Sequence, residues 1–265
     1  MNDIERCIAL FEKKAPLVAM LAPSFPVVYS YPQIVARLKK LGFTAVLEVS
    51  AGAVKTNEQV VALLKKDPAR RFISSPCAGF VRMVRKDYPQ LIPMLAFAAD
   101  SPMIQTARIA KEKYPDCQPV FIGPCFAKKL EASEDYPDLN ILVLTYRELD
   151  AVLEHFQIGE DADSSPATFD VAAAATRSYP MDGGLTITSG LKDVLKPEEI
   201  RIISGYKQIP AVLEEFQRNP KIRFVDVLFC EGGCIAGPGI ISTLPPDERK
   251  KRIADYQKFM DAGHR

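Results

Sequence analysis

The sequence of 265 residues lacks the features that mark several broad classes of protein, and those classes can be excluded first. Its 34 lysines and arginines are balanced by 33 aspartates and glutamates, so no charge excess attracts nucleic acid or an anionic membrane surface. No apolar run approaches the length of a membrane span, and the opening MNDIERCIALFEKKAP does not resemble a signal peptide. We therefore expect a cytoplasmic protein with neither a nucleic-acid partner nor a membrane partner.

Cysteine is also scarce, because six cysteines in a chain of this length are too few for a disulfide scaffold. A reducing compartment keeps cysteines as thiols, which leaves metal binding, catalysis or simple burial as their roles. The chain is 48% hydrophobic, which is enough for a sizeable core in one large domain or two joined ones.

Short apolar runs rich in valine, isoleucine and phenylalanine alternate with helical patterns along the chain. The seven runs are PLVAMLA, FTAVLEVS, RFISS, PVFIG, NILVL, EIRIIS and RFVDVLF. Strands that are buried on both faces read as continuous apolar runs, and their alternation with helices indicates parallel pairing. The pattern predicts an α/β fold.

The region from Gly159 to Gly190 interrupts this alternation with proline, glycine, aspartate and serine. Seven strands could form one sheet, but the interruption favours two lobes of mostly parallel sheet flanked by helices. We place the first lobe at residues 1–100 and the second at 101–240, with interleaving of the two allowed. The helical pattern of residues 241–265 predicts a C-terminal helical appendage.

Four of the six cysteines fall just past the predicted ends of strands. RFISSPCAGFVRMVRK and PVFIGPCFAKKLEA each contain a strand, a Pro-Cys pair and a helix, which places Cys77 and Cys125 at helix N-termini. Cys230 and Cys234 follow the last strand. Ligands bind at this edge of an open parallel sheet. The partial positive charge of a helix N-terminus lowers a thiol pKa, so we expect thiolates that can coordinate metal.

Four convergent thiols allow three interpretations. Zinc ligands normally come in close pairs, and only Cys230 and Cys234 form one. Four unrelated buried cysteines would not explain why these residues adjoin proline and glycine at strand ends. An iron–sulfur cluster takes four cysteines, and the glycines of CEGGCIAGPG permit the close backbone approach that it needs. Cys7 and Cys117 lack such settings and are interpreted as buried or free thiols.

Three segments resemble, in order and separation, the signatures of the iron-only hydrogenase catalytic domain. They are SSPCAGF at residues 74–80, GPCFAKKLE at 123–131 and CEGGCIAGPG at 230–239. LAPS, DYPQLIP and VLTYRELD also resemble family segments, so the resemblance extends from about residue 16 to the end. It implies a metal site in the cleft between two lobes, made of a 4Fe-4S cluster and a two-iron unit with carbon monoxide, cyanide and a dithiolate bridge.

Position by position, the resemblance implies that Cys77, Cys125, Cys230 and Cys234 are the cluster ligands. Cys234 matches the cysteine that bridges to the two-iron unit. Lys128 matches the lysine that donates hydrogen bonds to a cyanide ligand, as suits a cation beside an anionic group. Without the motif, Lys128 is interpreted as an exposed lysine on a first helical turn.

Two further matches concern the surroundings of the two-iron unit. Ala22, Pro23 and Ser24 match the segment beside the dithiolate bridge and the second cyanide. Glu131 matches a carboxylate on the proton path of the family, although a salt bridge to a nearby lysine on the helix surface explains it equally well.

The sequence departs from the family pattern at several positions. Pro76 stands where active enzymes have the cysteine that relays protons, and proline has no exchangeable hydrogen. A positioned proton-transfer group is worth roughly 10²–10⁴ in rate, so we expect slow turnover. Gly123 and Leu228 replace methionines, Phe80 replaces a tryptophan and Met103 replaces a glutamine, which alters the environment of the cofactor.

The resemblance implies an oxidoreductase that binds and slowly oxidises molecular hydrogen, or senses it. ATRSYPMDGGL is similar to the sensory branch of the family. We expect electron exchange at the 4Fe-4S cluster with a ferredoxin or another electron-transfer partner, and a signalling partner in a sensing role.

Two alternatives come from other classes of protein. One is a non-enzymatic iron–sulfur protein that resembles cytosolic cluster-assembly factors and has no two-iron unit. Lys128 and the segment 22–24 favour the hydrogenase, since an assembly factor has no cyanide to bind. The other is a zinc-stabilised or metal-free α/β domain that acts through protein contacts.

Overall fold

The computed structural model describes residues 1–160 and 167–261, without the side chains of residues 260 and 261. Parts of two predicted regions lie outside the described residues. They are residues 161–166 of the region from Gly159 to Gly190, and residues 262–265 of the predicted appendage.

The described residues form seven strands, at the seven apolar runs of the sequence. The strands are β1 Leu17–Leu21, β2 Ala45–Glu48, β3 Phe72–Ile73, β4 Gln118–Gly123, β5 Leu142–Thr145, β6 Ile200–Ser204 and β7 Phe224–Leu228. The α-helices are α1 Asp3–Glu12, α2 Gln33–Leu41, α3 Ser50–Lys66, α4 Ala78–Asp87, α5 Pro102–Lys113, α6 Ala127–Leu130, α7 Tyr146–His155, α8 Gly184–Thr188, α9 Ile209–Arg218 and α10 Pro246–Asp261. None of them is long and apolar enough to cross a bilayer.

The strands form two parallel sheets, which confirms the predicted fold class. The larger sheet has the order β2-β1-β4-β5, and the smaller has the order β3-β7-β6. A division at residue 100 does not separate them. Strands β4 and β5 join β1 and β2, whereas β3 pairs with β7 from the far end of the chain. The two halves of the sequence are therefore interleaved.

Both faces of the larger sheet are buried, as its apolar runs predict. In β1, Leu17, Ala19 and Leu21 pack into one apolar cluster, and Val18 and Met20 pack into another on the opposite face. Successive side chains of a strand point to opposite faces, so a strand between two helical layers must be apolar throughout. This burial leaves the ends of the strands as the places where polar chemistry can occur.

The carboxyl ends of both sheets supply the segments of the predicted site. Ala22 follows β1 and Cys125 follows β4 in the larger sheet, while Cys77 follows β3 and Cys230 follows β7 in the smaller one. Ala22, Cys77 and Cys125 line a common cavity, which Cys234 joins from the same loop as Cys230.

Helix α10 packs against the rest of the protein through one buried stripe. Ile253 is fully buried in a cluster with Val27 and Ile235. The ring of Tyr256 packs edge-on against Phe25, with 5.0 Å between the ring centroids. The helix thus covers loops that lead to the carboxyl ends of the strands.

Candidate functional site

The local backbone places each of the four cysteines at the end of a strand. Cys77 is the N-cap of α4, and its Sγ accepts a hydrogen bond of 3.3 Å from the backbone N–H of Phe229. Cys125 precedes the short helix α6. Cys230 and Cys234 lie in the loop after β7. All four are free thiols of intermediate burial, whereas Cys7 and Cys117 are buried, as predicted.

Glycines allow the loop that carries Cys234 to pack closely on its neighbours. Gly233 has a φ of +88°, and a Cβ there would lie 2.5 Å from the carbonyl oxygen of Pro180. The next N–H, that of Cys234, donates to this same oxygen at 2.7 Å. The N–H of Gly239 donates to the carbonyl of Pro124 at 2.8 Å. The prediction that glycine permits close backbone approach here is confirmed.

The cavity at the carboxyl ends of the strands has a volume of about 90 Å³. The predicted site residues that line it are Ala22, Pro23, Ser24, Pro76, Cys77, Cys125, Lys128 and Cys234. Glu131 lines a neighbouring polar pocket of about 410 Å³ instead. Cys230 lines neither of the two, but it interacts electrostatically with Cys77 and Cys125.

Burial raises the pKa of three of the thiols. It raises the pKa of Cys230 to about 12, and it raises the pKa of Cys77 and that of Cys234 as well. Neighbouring cysteines are the next cause: Cys77, Cys125 and Cys230 each raise the pKa of Cys234. The prediction that a helix N-terminus lowers the thiol pKa is wrong for Cys77, because lost hydration outweighs the backbone N–H groups there.

The four cysteines lie near one another at the carboxyl ends of the strands. Among residues 1–160 and 167–261, no three histidines, cysteines, aspartates or glutamates could hold one metal ion. A zinc ion would require its ligand sulfurs at about 2.3 Å from the metal, and therefore close to one another. Cys77, Cys125 and Cys230 each interact electrostatically with Cys234, so the four thiols are neighbours.

Lys128 is held inside the protein by three acceptors. Its Nζ donates to the carbonyl oxygen of Pro76 and to Oγ of Ser101, both at 3.0 Å, and to the carboxylate of Glu131. An ammonium group has three N–H donors, so all of them are used. The side chain is only 12% exposed, and the interpretation of an exposed lysine is wrong.

Glu131 lies between the cysteine cavity and the polar pocket. It begins a π-helical turn, Glu131–Asp135, that continues α6, and such turns occur frequently at functional sites. Its partner is a lysine, as the alternative interpretation predicted. The pair with Lys128 is buried, however, and does not lie on the helix surface.

The sequence gives no signal for two aromatic residues beside the cavity. The hydroxyl of buried Tyr146 lies 2.6 Å from Oγ of Ser24 and donates to the carbonyl of Ala22 at 3.3 Å. Burial raises the pKa of this phenol, so it stays neutral. Tyr179 lines the cavity from the region that interrupts the strand pattern. The two tyrosines lie in VLTYRELD and ATRSYPMDGGL, which resemble family segments, but nothing in either segment singles out the tyrosine, and only the fold brings them to the site.

The replacement of a methionine by Gly123 has a structural counterpart. A Cβ at residue 123 would lie 2.6 Å from the ring of Phe121, whose side chain lines the cavity. The Phe121 ring thus occupies the space that a side chain at residue 123 would fill. Met103, in place of a glutamine, also lines the cavity and is almost fully buried.

Comparison with known proteins identifies relatives over most of the chain. A family model described as iron only hydrogenase large subunit, C-terminal domain, matches residues 15–238. Iron hydrogenase 1 of Clostridium pasteurianum is 27% identical over 273 residues, which cover 83% of this chain and 47% of that protein. The cytosolic Fe-S cluster assembly factor NAR1 of Kluyveromyces lactis is 22% identical over 259 residues, covering 69% of this chain and 54% of the relative. The chain thus spans about half the length of these relatives.

Solved structures share the fold. A structure of an FeFe-hydrogenase studied for its inactivation by oxygen has a TM-score of 0.72 at 16% identity, covering 98% of this chain and 90% of that one. A variant of FeFe-hydrogenase HydA1 from Chlamydomonas reinhardtii has a TM-score of 0.71 at 17% identity, covering 96% and 88%. At these identities the likeness establishes the fold alone.

Proposed function

The chain belongs to the family of C-terminal domains found in the large subunits of iron-only hydrogenases, and we propose that Cys77, Cys125, Cys230 and Cys234 hold a 4Fe-4S cluster in it. The observation that carries this proposal is the electrostatic interaction of four free thiols from three separate segments. Burial favours the protonated thiols of Cys77, Cys230 and Cys234 in the protein alone, and a cationic core would stabilise their thiolates.

We also propose that the cavity beside Ala22, Pro23, Ser24 and Lys128 takes a two-iron unit with carbon monoxide, cyanide and a dithiolate, attached through Cys234. When bound, this unit supplies the redox chemistry with molecular hydrogen. The chain supplies orientation and exclusion of water. The ammonium of Lys128 would donate to an anionic ligand of this unit if it gave up one of its three protein acceptors.

We propose that the supply of protons limits the rate of hydrogen turnover. Pro76 lines the cavity but carries no exchangeable proton, and its carbonyl oxygen already accepts from Lys128. Glu131 contacts Lys128 on one side and lines the polar pocket on the other, so it connects the edge of the cavity to that pocket. Without a relay at residue 76, turnover is slower by about 10²–10⁴. We therefore propose that the protein binds molecular hydrogen and either oxidises it slowly or senses it.

Electron exchange requires a partner that approaches the cluster. We propose a ferredoxin or another electron-transfer protein, with a signalling partner if the role is sensory. Cys230 is only half-buried, and next to it Phe229 stacks on the exposed ring of Tyr206 at 5.9 Å between centroids. We place this role in the cytoplasm, in keeping with the cytosolic names of the assembly-factor relatives.

The alternative function is non-enzymatic iron–sulfur cluster assembly. Two observations favour it. Assembly factors are among the relatives, including the probable cytosolic Fe-S cluster assembly factor oxy-4 of Caenorhabditis elegans, 23% identical over 282 residues, which cover 86% of this chain and 62% of that protein. In addition, Lys128 has three protein acceptors and does not require a cyanide ligand.

The experiment has two stages. Anaerobic reconstitution of the chain with iron and sulfide should yield four iron and four sulfide per chain, as a 4Fe-4S cluster requires. The reconstituted protein is then treated with a synthetic two-iron unit and examined by infrared spectroscopy for carbon monoxide and cyanide bands. Bands retained after gel filtration support the hydrogenase. A stable cluster without such bands supports the assembly factor, and failure to bind iron and sulfide overturns both.

A further inference from the structure

Helix α10 contacts the loops that bound the cysteine cavity. Ile253 is fully buried against Val27, which lies in the loop after β1, and against Ile235, the neighbour of Cys234. Met181, the neighbour of Pro180, packs against the same cluster. Three loops that are distant in sequence thus meet on one side chain of the C-terminal helix.

Arg249, in the first turns of α10, binds the chain just beyond Cys234. Its Nη1 donates to the carbonyl of Ile235 at 3.1 Å, its Nη2 to that of Ser242 at 2.8 Å, and its Nε to that of Leu244 at 2.8 Å. One guanidinium therefore joins both ends of the segment Ile235–Leu244. Three separate nitrogens in one plane make this geometry available to arginine but not to lysine.

The segment that Arg249 holds also carries the contact to a second cysteine loop. Within it, the N–H of Gly239 donates to the carbonyl of Pro124 at 2.8 Å, and Pro124 directly precedes Cys125. A Cβ at Gly237 would lie 2.7 Å from that same carbonyl, which leaves no space for a shift of the segment towards Cys125. A displacement of this segment would therefore alter the spacing of two of the four thiols.

We propose that Arg249 is a positioning residue for the cysteine site: by clamping residues 235–244 it fixes Cys234 relative to Cys125. The proposal rests on the proposed iron–sulfur function for its consequence, but the clamp itself is a property of the cofactor-free chain. Groups that orient metal ligands typically contribute 10–100-fold to metal affinity.

The test compares R249A with R249K, and with R252A as a matched control on the same helix, where Arg252 is exposed. In the cofactor-free protein, the alkylation rate of each cysteine by iodoacetamide is followed by mass spectrometry. We expect Cys234 to react about fivefold faster in R249A, as the loss of hydrogen bonds of ordinary strength predicts, with the rate at Cys7 unchanged. R249K should behave as R249A does, because one nitrogen cannot replace three.

The same variants are then reconstituted, and iron release to a chelator is timed together with the electron paramagnetic resonance spectrum of the reduced cluster. We expect release to be about tenfold faster in R249A and R249K, with altered g-values, and R252A to match the unchanged protein. Equal alkylation of Cys234 in all four proteins overturns the positioning role. So does full rescue by R249K, which would indicate a charge effect. If the unchanged chain binds no cluster, the proposed function fails, while the alkylation result still decides the role of Arg249.

A variant that fails to fold is recognised by its circular dichroism spectrum. In that case I253V, which removes one methylene from the same contact between α10 and the loops, takes the place of R249A. It should accelerate alkylation of Cys234 more than that of Cys7, and an equal change at both cysteines contradicts the proposal.

Discussion

Arg177 and Glu48 form a buried ion pair beneath helix α10. The guanidinium Nη2 donates to the carboxylate at 2.9 Å and Nε donates at 3.0 Å, and the two side chains are 2% and 0% exposed. The ring of Tyr256 lies over the guanidinium at 4.8 Å. Glu48 ends β2, and Arg177 precedes the cavity-lining Tyr179 and Pro180. The pair thus ties one wall of the cavity to the larger sheet.

Removing one partner of this pair should destabilise the protein strongly. We expect R177A to lower the free energy of unfolding by about 3–5 kcal/mol, because it leaves a buried carboxylate without its counter-ion. The double variant R177M/E48L should cost less than R177A alone, since apolar side chains remove both charges. Urea denaturation measures both values. The matched control is K39A, which removes the exposed partner of Asp170 and should cost less than about 1 kcal/mol. A similar cost for R177A and K39A would contradict the role of the buried pair.

Asp226 in β7 gives a prediction for pH dependence. Its carboxylate accepts from the N–H of Thr186 at 2.9 Å and from its hydroxyl at 2.8 Å, yet burial raises the pKa of Asp226 above its usual value. A carboxyl group whose pKa is raised on folding contributes stability below its unfolded pKa, and this contribution is lost as the pH rises through the folded pKa.

The unfolding free energy of D226N relative to the unchanged protein should therefore increase as the pH rises above the unfolded pKa of about 4. Guanidinium denaturation across this range measures the difference. D193N, at an exposed aspartate, should show no such trend. A difference that is constant with pH, or that decreases as the pH rises, would show that the Thr186 hydrogen bonds outweigh burial.

Substitution of single cysteines should separate cluster ligands from other thiols. We expect C77S, C125S, C230S and C234S each to lose most of the reconstituted iron and sulfide, because four cysteines are needed to complete the ligand set of a cubane. C7S and C117S should retain it, as both residues are buried within apolar clusters and neither lines the cavity. Iron and sulfide assays with visible absorption spectra provide the measurement. Full retention in any one of the first four variants removes that residue from the ligand set.

P76C should increase hydrogen turnover if proton supply limits the rate. Residue 76 lines the cavity, and a thiol there adds the exchangeable proton that proline lacks. We expect an increase of about 10²-fold, at the lower end of the contribution of a positioned proton-transfer group. Hydrogen evolution is measured at equal occupancy of the two-iron unit, determined by infrared absorption. The control is S75C, an adjacent thiol in the polar pocket. An equal rate in P76C and the unchanged protein would show that another step limits turnover.

The sequence alone determined the strands and the places of the cysteines. Short apolar runs such as LVAML in β1 are typical of strands buried on both faces, because successive side chains of a strand point to opposite faces. Cys77 and Cys125 could be assigned to strand ends for the same reason, since a Pro-Cys pair stops each run before a helix begins. These are local properties, and residues close in sequence decide them.

Only the tertiary structure decided which strands share a sheet and what surrounds the thiols. Strand β3 pairs with β7 over a separation of about 150 residues, and no local pattern encodes that pairing. The pKa of Cys77 rises because the assembled protein removes water from the thiol. This increase is larger than the decrease that the backbone N–H groups at the thiol cause. The sequence pattern likewise predicts an exposed Lys128, whereas the fold provides Pro76, Ser101 and Glu131 as its acceptors. Desolvation and long-range contacts depend on the whole chain, and for that reason the chemistry of this site was settled by packing.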